Sequence, residues 1–154
     1  MKEEPGVLLQ ISPIRNGTVI DHITAGEALN VLKILGITGT TDECLSIATN
    51  VASEKSGKKD IVKIEERELC AEEVDRIALI APHATINIIR DYLVCEKMGV
   101  EIPQVLLGVV RCPNPGCISN TNEPIKSRFE VTKRGLHCLY CDWYLKDDIP
   151  GHII

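Results

Sequence analysis

The chain is poor in aromatic side chains, in positive charge and in long apolar runs. Five aromatics occur among 154 residues, and only Tyr92 precedes residue 102; Phe129, Tyr140, Trp143 and Tyr144 follow it. That imbalance predicts two domains with different cores. Lysine and arginine number 17 against 22 acids, a formal net charge of −5, which argues against a nucleic-acid binder working through a broad basic face. No apolar run approaches the roughly 18 residues that span a membrane. The opening MKEEPG lacks the basic-then-apolar order of a secretory leader. No Walker loop, dinucleotide glycine pattern or nucleophile elbow occurs, so an enzyme reading has little to stand on.

What is present divides near Glu101. Residues 1–101 carry 11 basic and 17 acidic side chains, and residues 102–154 carry 6 and 5. In the first part, residues 7–14 read as a strand interrupted by Pro13, and Asn16-Gly17 marks a turn. Residues 18–23 are β-branched and apolar, as a strand requires. Ala28, Leu29, Leu32 and Leu35 recur at helical spacing, with Gly36 as a stop. Residues 43–53 and 61–66 read as strands joined through residues 53–60. Residues 71–81 form a second helix, with Val74, Ile77, Ala78 and Ala81 on one face, acids in the first turn and Pro82 at its end. Residues 84–94 read as one last strand. This order predicts an α+β fold, a ferredoxin-like antiparallel sheet with two helices on one face. The second part reads as a small all-β, zinc-ribbon-like domain with strands in 104–110 and 129–133.

The seven cysteines lie in a chain expected in the cytoplasm, where thiols serve as metal ligands more often than as disulfides. Cys112 and Cys117 form a C-x4-C pair, Cys138 and Cys141 a C-x2-C pair, and 20 residues separate them. Two close pairs supply a tetrahedron of thiolates at small entropic cost, which is what structural zinc requires. A 53-residue segment buries too little to fold on its own core, whereas zinc binding in such modules contributes roughly 10 kcal/mol or more. Arg111, Arg128, Lys133 and Arg134 are candidates to offset the site's negative charge, and His137 and His152 are alternative ligands. Cys44, Cys70 and Cys95 have no paired spacing and are expected to pack in the interior.

Residues 17–23 (GTVIDHI), 59–65 (KDIVKIE), 81–87 (APHATIN), CPNPGC and CLYC occur in an order that closely resembles the regulatory chains of aspartate carbamoyltransferase. The resemblance implies a non-catalytic subunit of pyrimidine biosynthesis. It would bind CTP and ATP in its first domain, hold one zinc ion in its second, pair with its own copy and dock on a catalytic chain. It carries Ile14, Asp21, His22, Lys63, Asn87, Tyr92, Val94 and Lys97 over as effector-site positions, and Cys112, Cys117, Cys138 and Cys141 as zinc ligands. In those roles Lys63 and Lys97 meet the triphosphate or donate to base and ribose. Asp21 suits ribose hydroxyls or a Mg2+ accompanying the nucleotide, and Ile14, Tyr92 and Val94 wall the base. The rival reading is a zinc-ribbon module that binds nucleic acid.

Overall fold

The computed structural model describes residues 13–54 and 57–154. The chain enters its first sheet at Gly17, where φ is +146° and a Cβ would meet the Ile64 carbonyl oxygen at 2.1 Å. Only glycine fits there, and it lets β1 (Gly17–Thr24) lie between two other strands. After it come α1 (Ala28–Ile34), β2 (Leu45–Ser53), β3 (Gly57–Glu65), α2 (Ala71–Ile80), β4 (Thr85–Arg90) and β5 (Leu93–Gly99). The sheet order is β2-β3-β1-β4-β5, with every neighbouring pair antiparallel. Each helix thus crosses over an intervening strand, the split β-α-β of the ferredoxin-like fold. The strand β5 is an addition at one edge.

Alternation along the strands decides which face the helices cover. Ile20, Val62, Ile64, Ile86 and Ile88 point to one side and pack with Val31, Leu32, Ile77 and Ile80 of the helices. Burying each such side chain contributes about 1.5–3 kcal/mol. The same alternation places Asp60 inward, at 0 % exposure. Its carboxylate accepts N–H bonds from Gly26 and Ala28 at 2.9 Å and from Asn50 at 2.7 Å. It thereby fixes the start of α1 and the bulge in β2 together. Arg67 fastens the opposite end. It donates to the Leu35 carbonyl at the close of α1 and pairs with Glu73 in the first turn of α2.

A second sheet, ordered β6-β7-β8-β9, comprises β6 (Val105–Leu107), β7 (Arg128–Thr132), β8 (Gly135–Cys138) and β9 (Tyr144–Leu145). A short helix, α3 (Ile149–His152), follows. Its core is small: Phe129, Leu106, Val110, Leu136 and Leu145, completed by Cys112, Cys117 and Cys138. The two cores touch, since Leu79 of α2 packs on the second and Ile153 on the first.

Several sequence expectations are corrected. The strand expected over 7–14 lies almost wholly outside the described residues, and Pro13 and Ile14 belong to no strand. The last strand expected over 84–94 is instead the hairpin β4–β5. Its turn residues Asp91 and Tyr92 have φ of 51° and 67°, the paired positive angles of a type I′ turn, usually advertised by Asn-Gly. Leu29 is exposed, and Val31 takes its place in the core. Cys44, Cys70 and Cys95 are exposed rather than packed inside.

Candidate metal centre and effector face

Two loops carry the thiols, and each is shaped by its own hydrogen bonds. In the first, Cys117 N–H donates to the Asn114 carbonyl and Gly116 N–H to Asn114 Oδ1, both at 3.0 Å. The Asn120 amide spans the loop, donating to the carbonyls of Cys112 at 2.8 Å and Asn114 at 2.7 Å. The second loop closes through Cys138 N–H on the Trp143 carbonyl at 2.7 Å, with Asp142 in the left-handed region at φ 62°. The Sγ atoms of Cys112 and Cys141 are 3.6 Å apart, those of Cys117 and Cys138 3.7 Å, and all four lie within 4.8 Å of one another. A metal with bonds of about 2.3 Å to four tetrahedral thiolates sets sulfurs about 3.8 Å apart, so the residues present fit such an ion.

Burial pushes the Cys112 and Cys138 thiols up. It opposes ionisation of Cys141 as well, but hydrogen bonds from the Asn114 side chain and the Trp143 backbone, together with the neighbouring thiols, outweigh it and hold that thiol at about 7. In holding a dication the four thiols would ionise, since a coordinated thiol is deprotonated by the metal's charge. Neither histidine joins this cluster among the described residues. His137 stacks on Tyr144 at 4.7 Å with Nε2 on Asp142 at 2.9 Å, and His152 Nδ1 meets the Asp148 carbonyl. Arg134 lies 4.9 Å over the Tyr144 ring. Cys112, Cys117, Cys138 and Cys141 would hold a tetrahedral metal with protein sulfurs alone, which fits a structural centre.

In the first sheet, register brings the other predicted residues into a line on the face the helices leave free. Lys63 and Asn87 both pair with Val19, and Asn87 pairs with Lys97. The three polar residues therefore share one lateral row across β3, β1, β4 and β5. Asn87 Nδ2 is tethered to the Val19 carbonyl at 3.2 Å, and burial pushes the Lys63 ammonium down from its ordinary value. One end of this face is apolar. Val94 pairs with Ile89, and the Tyr92 N–H donates to the Arg15 carbonyl, next to buried Ile14. Tyr92 and Val94 are 65 % and 57 % exposed, so their side chains are available.

At the other end lies Asp21, opposite Thr85. Burial opposes its ionisation, yet the Lys59 ammonium at 2.9 Å and the His22 N–H hold its carboxyl below the ordinary range. Sequence reasoning missed Lys59. The period of two that places Lys63 outward applies equally to Lys59 on the same strand. His22 departs from that period. Its φ is 56°, at a shift of register between Ile20 and Ile23, and Ile23 rather than His22 is the next residue in the core.

The described residues thus form a small β module with four clustered thiols beside a split β-α-β sheet whose one face the helices leave free. Family comparison makes the class specific. Residues 9–101 match the aspartate carbamoyltransferase regulatory chain, allosteric domain, and residues 104–150 match its metal binding domain. A regulatory chain from Methanoculleus marisnigri is 74 % identical over 152 residues, covering 99 % of this chain and 98 % of its own. One from Methanosphaerula palustris is 66 % identical over 146 residues, covering 95 % and 94 %. One from Haloarcula marismortui is 57 % identical over 146 residues, with the same coverage of each. The chain belongs to the family of aspartate carbamoyltransferase regulatory chains and is a non-catalytic subunit.

Proposed function

We propose that residues 1–101 bind a nucleoside triphosphate such as CTP or ATP on the helix-free face. Residues 102–154, stapled by one zinc ion, dock on the catalytic chain of aspartate carbamoyltransferase and pass the signal on. The observation that carries this reading is the row of Lys63, Asn87 and Lys97, set between an apolar end at Tyr92 and Val94 and a polar end at Asp21 and His22. A nucleotide asks for these three chemistries: apolar contact for its base, an acceptor for its ribose hydroxyls and cations for its phosphates. Charge-assisted contacts contribute about 1.5–3 kcal/mol each, so Lys97→Ala weakens triphosphate binding by about tenfold or more and nucleoside binding far less. Calorimetry giving equal losses for CTP and cytidine would remove Lys97 from a phosphate role. Asp21 is already matched by Lys59, so ribose hydroxyls suit it better than a Mg2+ arriving with the phosphates.

Two surfaces support the partners. Around the thiols, Ile118, Leu139, Tyr140 and Trp143 are all exposed. Such an apolar cluster on a nearly neutral module suits a protein interface better than nucleic acid. At the sheet edge, every residue of β5 is exposed, including Leu93 and Met98. An open edge of this kind invites a further strand, which supports pairing with a second copy in the cytoplasm. Leu93→Lys combined with Met98→Lys should move the isolated chain from dimer to monomer in sedimentation velocity, and an unchanged dimer would exclude that edge. Stripping the zinc with a mercurial should release catalytic chains that stay active but no longer respond to CTP. A complex that survives complete loss of metal would contradict the docking role.

A further inference from the structure

A cavity of about 660 Å3 lies between α2 and the second sheet, on the helix side of the first sheet and so away from the row of Lys63, Asn87 and Lys97. Helical spacing builds one wall. Leu79 of α2 packs on the second core. Glu72, Asp75 and Arg76 share its side of the helix, one and two turns earlier, and line the cavity. The other wall is the segment that leads into β7. There Gly108, at φ +69°, leaves room for the stem of Lys126, whose Cδ an added Cβ would meet at 3.4 Å. The Gly108 N–H donates to the Ser127 carbonyl at 2.8 Å.

The polar groups of this cavity are unevenly matched. Ser127 is only 5 % exposed, and its Oγ has no hydrogen-bond partner. Arg76 Nε is buried and unpartnered as well. The contacts of that guanidinium among the described residues, to the Glu72 carbonyl at 3.4 Å and its carboxylate at 3.9 Å, both use Nη1. A buried donor left unpaired is costly, and two beside one cavity point to an acceptor that enters it. The Nε edge of a guanidinium is a flat, two-donor fork that matches a carboxylate. Arg111 and Lys126 add two cations with no acidic partner among the described residues. Three cations against Glu72 and Asp75 leave the lining a formal charge of +1. That balance suits a monoanion and disfavours a phosphate dianion, which would face two carboxylates. Val105, Leu107 and Ile125 supply an apolar wall.

We propose that this interdomain cavity binds a small carboxylic acid with an aliphatic body, its carboxylate held by Arg76 and Ser127 and its chain lying against Val105, Leu107 and Ile125. Arg76 belongs to the first domain and Ser127 to the second, so the occupant bridges them. The test titrates the full chain with hexanoate, hexanol and inorganic phosphate, followed by NMR at the Arg76 Nε–H. Hexanoate should shift that signal and saturate, with hexanol and phosphate weaker by about tenfold or more, as loss of one charge-assisted contact predicts. By calorimetry, Arg76→Gln should weaken hexanoate by about tenfold or more and leave hexanol unchanged. Ser127→Ala should also weaken hexanoate without lowering the Tm of the free chain, because it removes an unpaired buried hydroxyl rather than a bond. Should Arg76→Gln fail to fold, Lys126→Gln, at an exposed position, should still weaken hexanoate severalfold. Absence of saturable hexanoate binding, equal affinity for hexanol, a preference for phosphate, or full affinity in the Arg76 and Lys126 variants would each overturn the proposal.

Discussion

Cys138→Ser should empty the metal centre and unfold residues 105–154 while the first sheet stays intact. Cys138 is fully buried, with its sulfur 3.7 Å from that of Cys117. Serine removes one of four thiolates and leaves a hydroxyl that binds a soft metal poorly. The effect is large because the metal stands in for a core. Phe129 and a few aliphatic side chains are all that packs around three of the thiols. Structural zinc contributes about 10–16 kcal/mol in modules of this size, more than the whole stability of a typical domain. Metal content should fall below one ion per chain. Hydrogen exchange should accelerate across β6 to β9, with β1 to β4 still protected. Full metal retention with unchanged exchange would show that Cys138 is not a ligand.

Asp60→Ala should be the most damaging single change in the first domain. The carboxylate is fully buried and satisfies three backbone N–H groups, those of Gly26, Ala28 and Asn50. Alanine leaves the buried Ala28 N–H without an acceptor and removes the bonds of the more exposed Gly26 and Asn50 as well. With each bond to a charged group contributing about 1.5–3 kcal/mol, and with partial relaxation, the loss should reach about 3–5 kcal/mol. For a domain of this length that lowers Tm by at least about 12 °C. Asp60→Asn keeps one side-chain oxygen as acceptor and should lose less. Thermal unfolding followed by circular dichroism separates the cases. A loss under about 1 kcal/mol for alanine would mean that water replaces the carboxylate, and the three bonds would then not be the anchor of α1.

Much of this was legible in the sequence, for reasons tied to range. Both helices announced themselves by period, and α2 also by Glu72 and Glu73 in its first turn. The exposed Leu29 shows the limit of that signal. A seven-residue helix offers too few turns to tell which of Leu29 and Val31 faces the sheet. The β4–β5 hairpin was invisible because Asp91-Tyr92 is not a customary turn pair. It is secured instead by Asn16 Oδ1, which accepts the Asp91 N–H, and by the Arg15 carbonyl, which accepts that of Tyr92. The lone cysteines were misjudged because average burial says nothing about a particular site.

The clustering of the four thiols followed from sequence alone. Each pair of thiols is brought together by a loop of a few residues, so only one long-range contact remains for the fold to make. Strand and helix faces were likewise determined locally, because a period describes orientation about an element's own axis. Tertiary structure decided what no period can encode, which is the identity of lateral neighbours. Asn87 and Lys97 meet across the β4–β5 hairpin, but Lys63 comes from β3, on the other side of α2 in the chain, and joins their row only because β1 lies between β3 and β4 in a particular register. His22 leaves the alternation of its strand through a bulge, which turns it away from the core side. Both depend on backbone hydrogen bonds, and those bonds read position along a strand while remaining indifferent to the side chains they align.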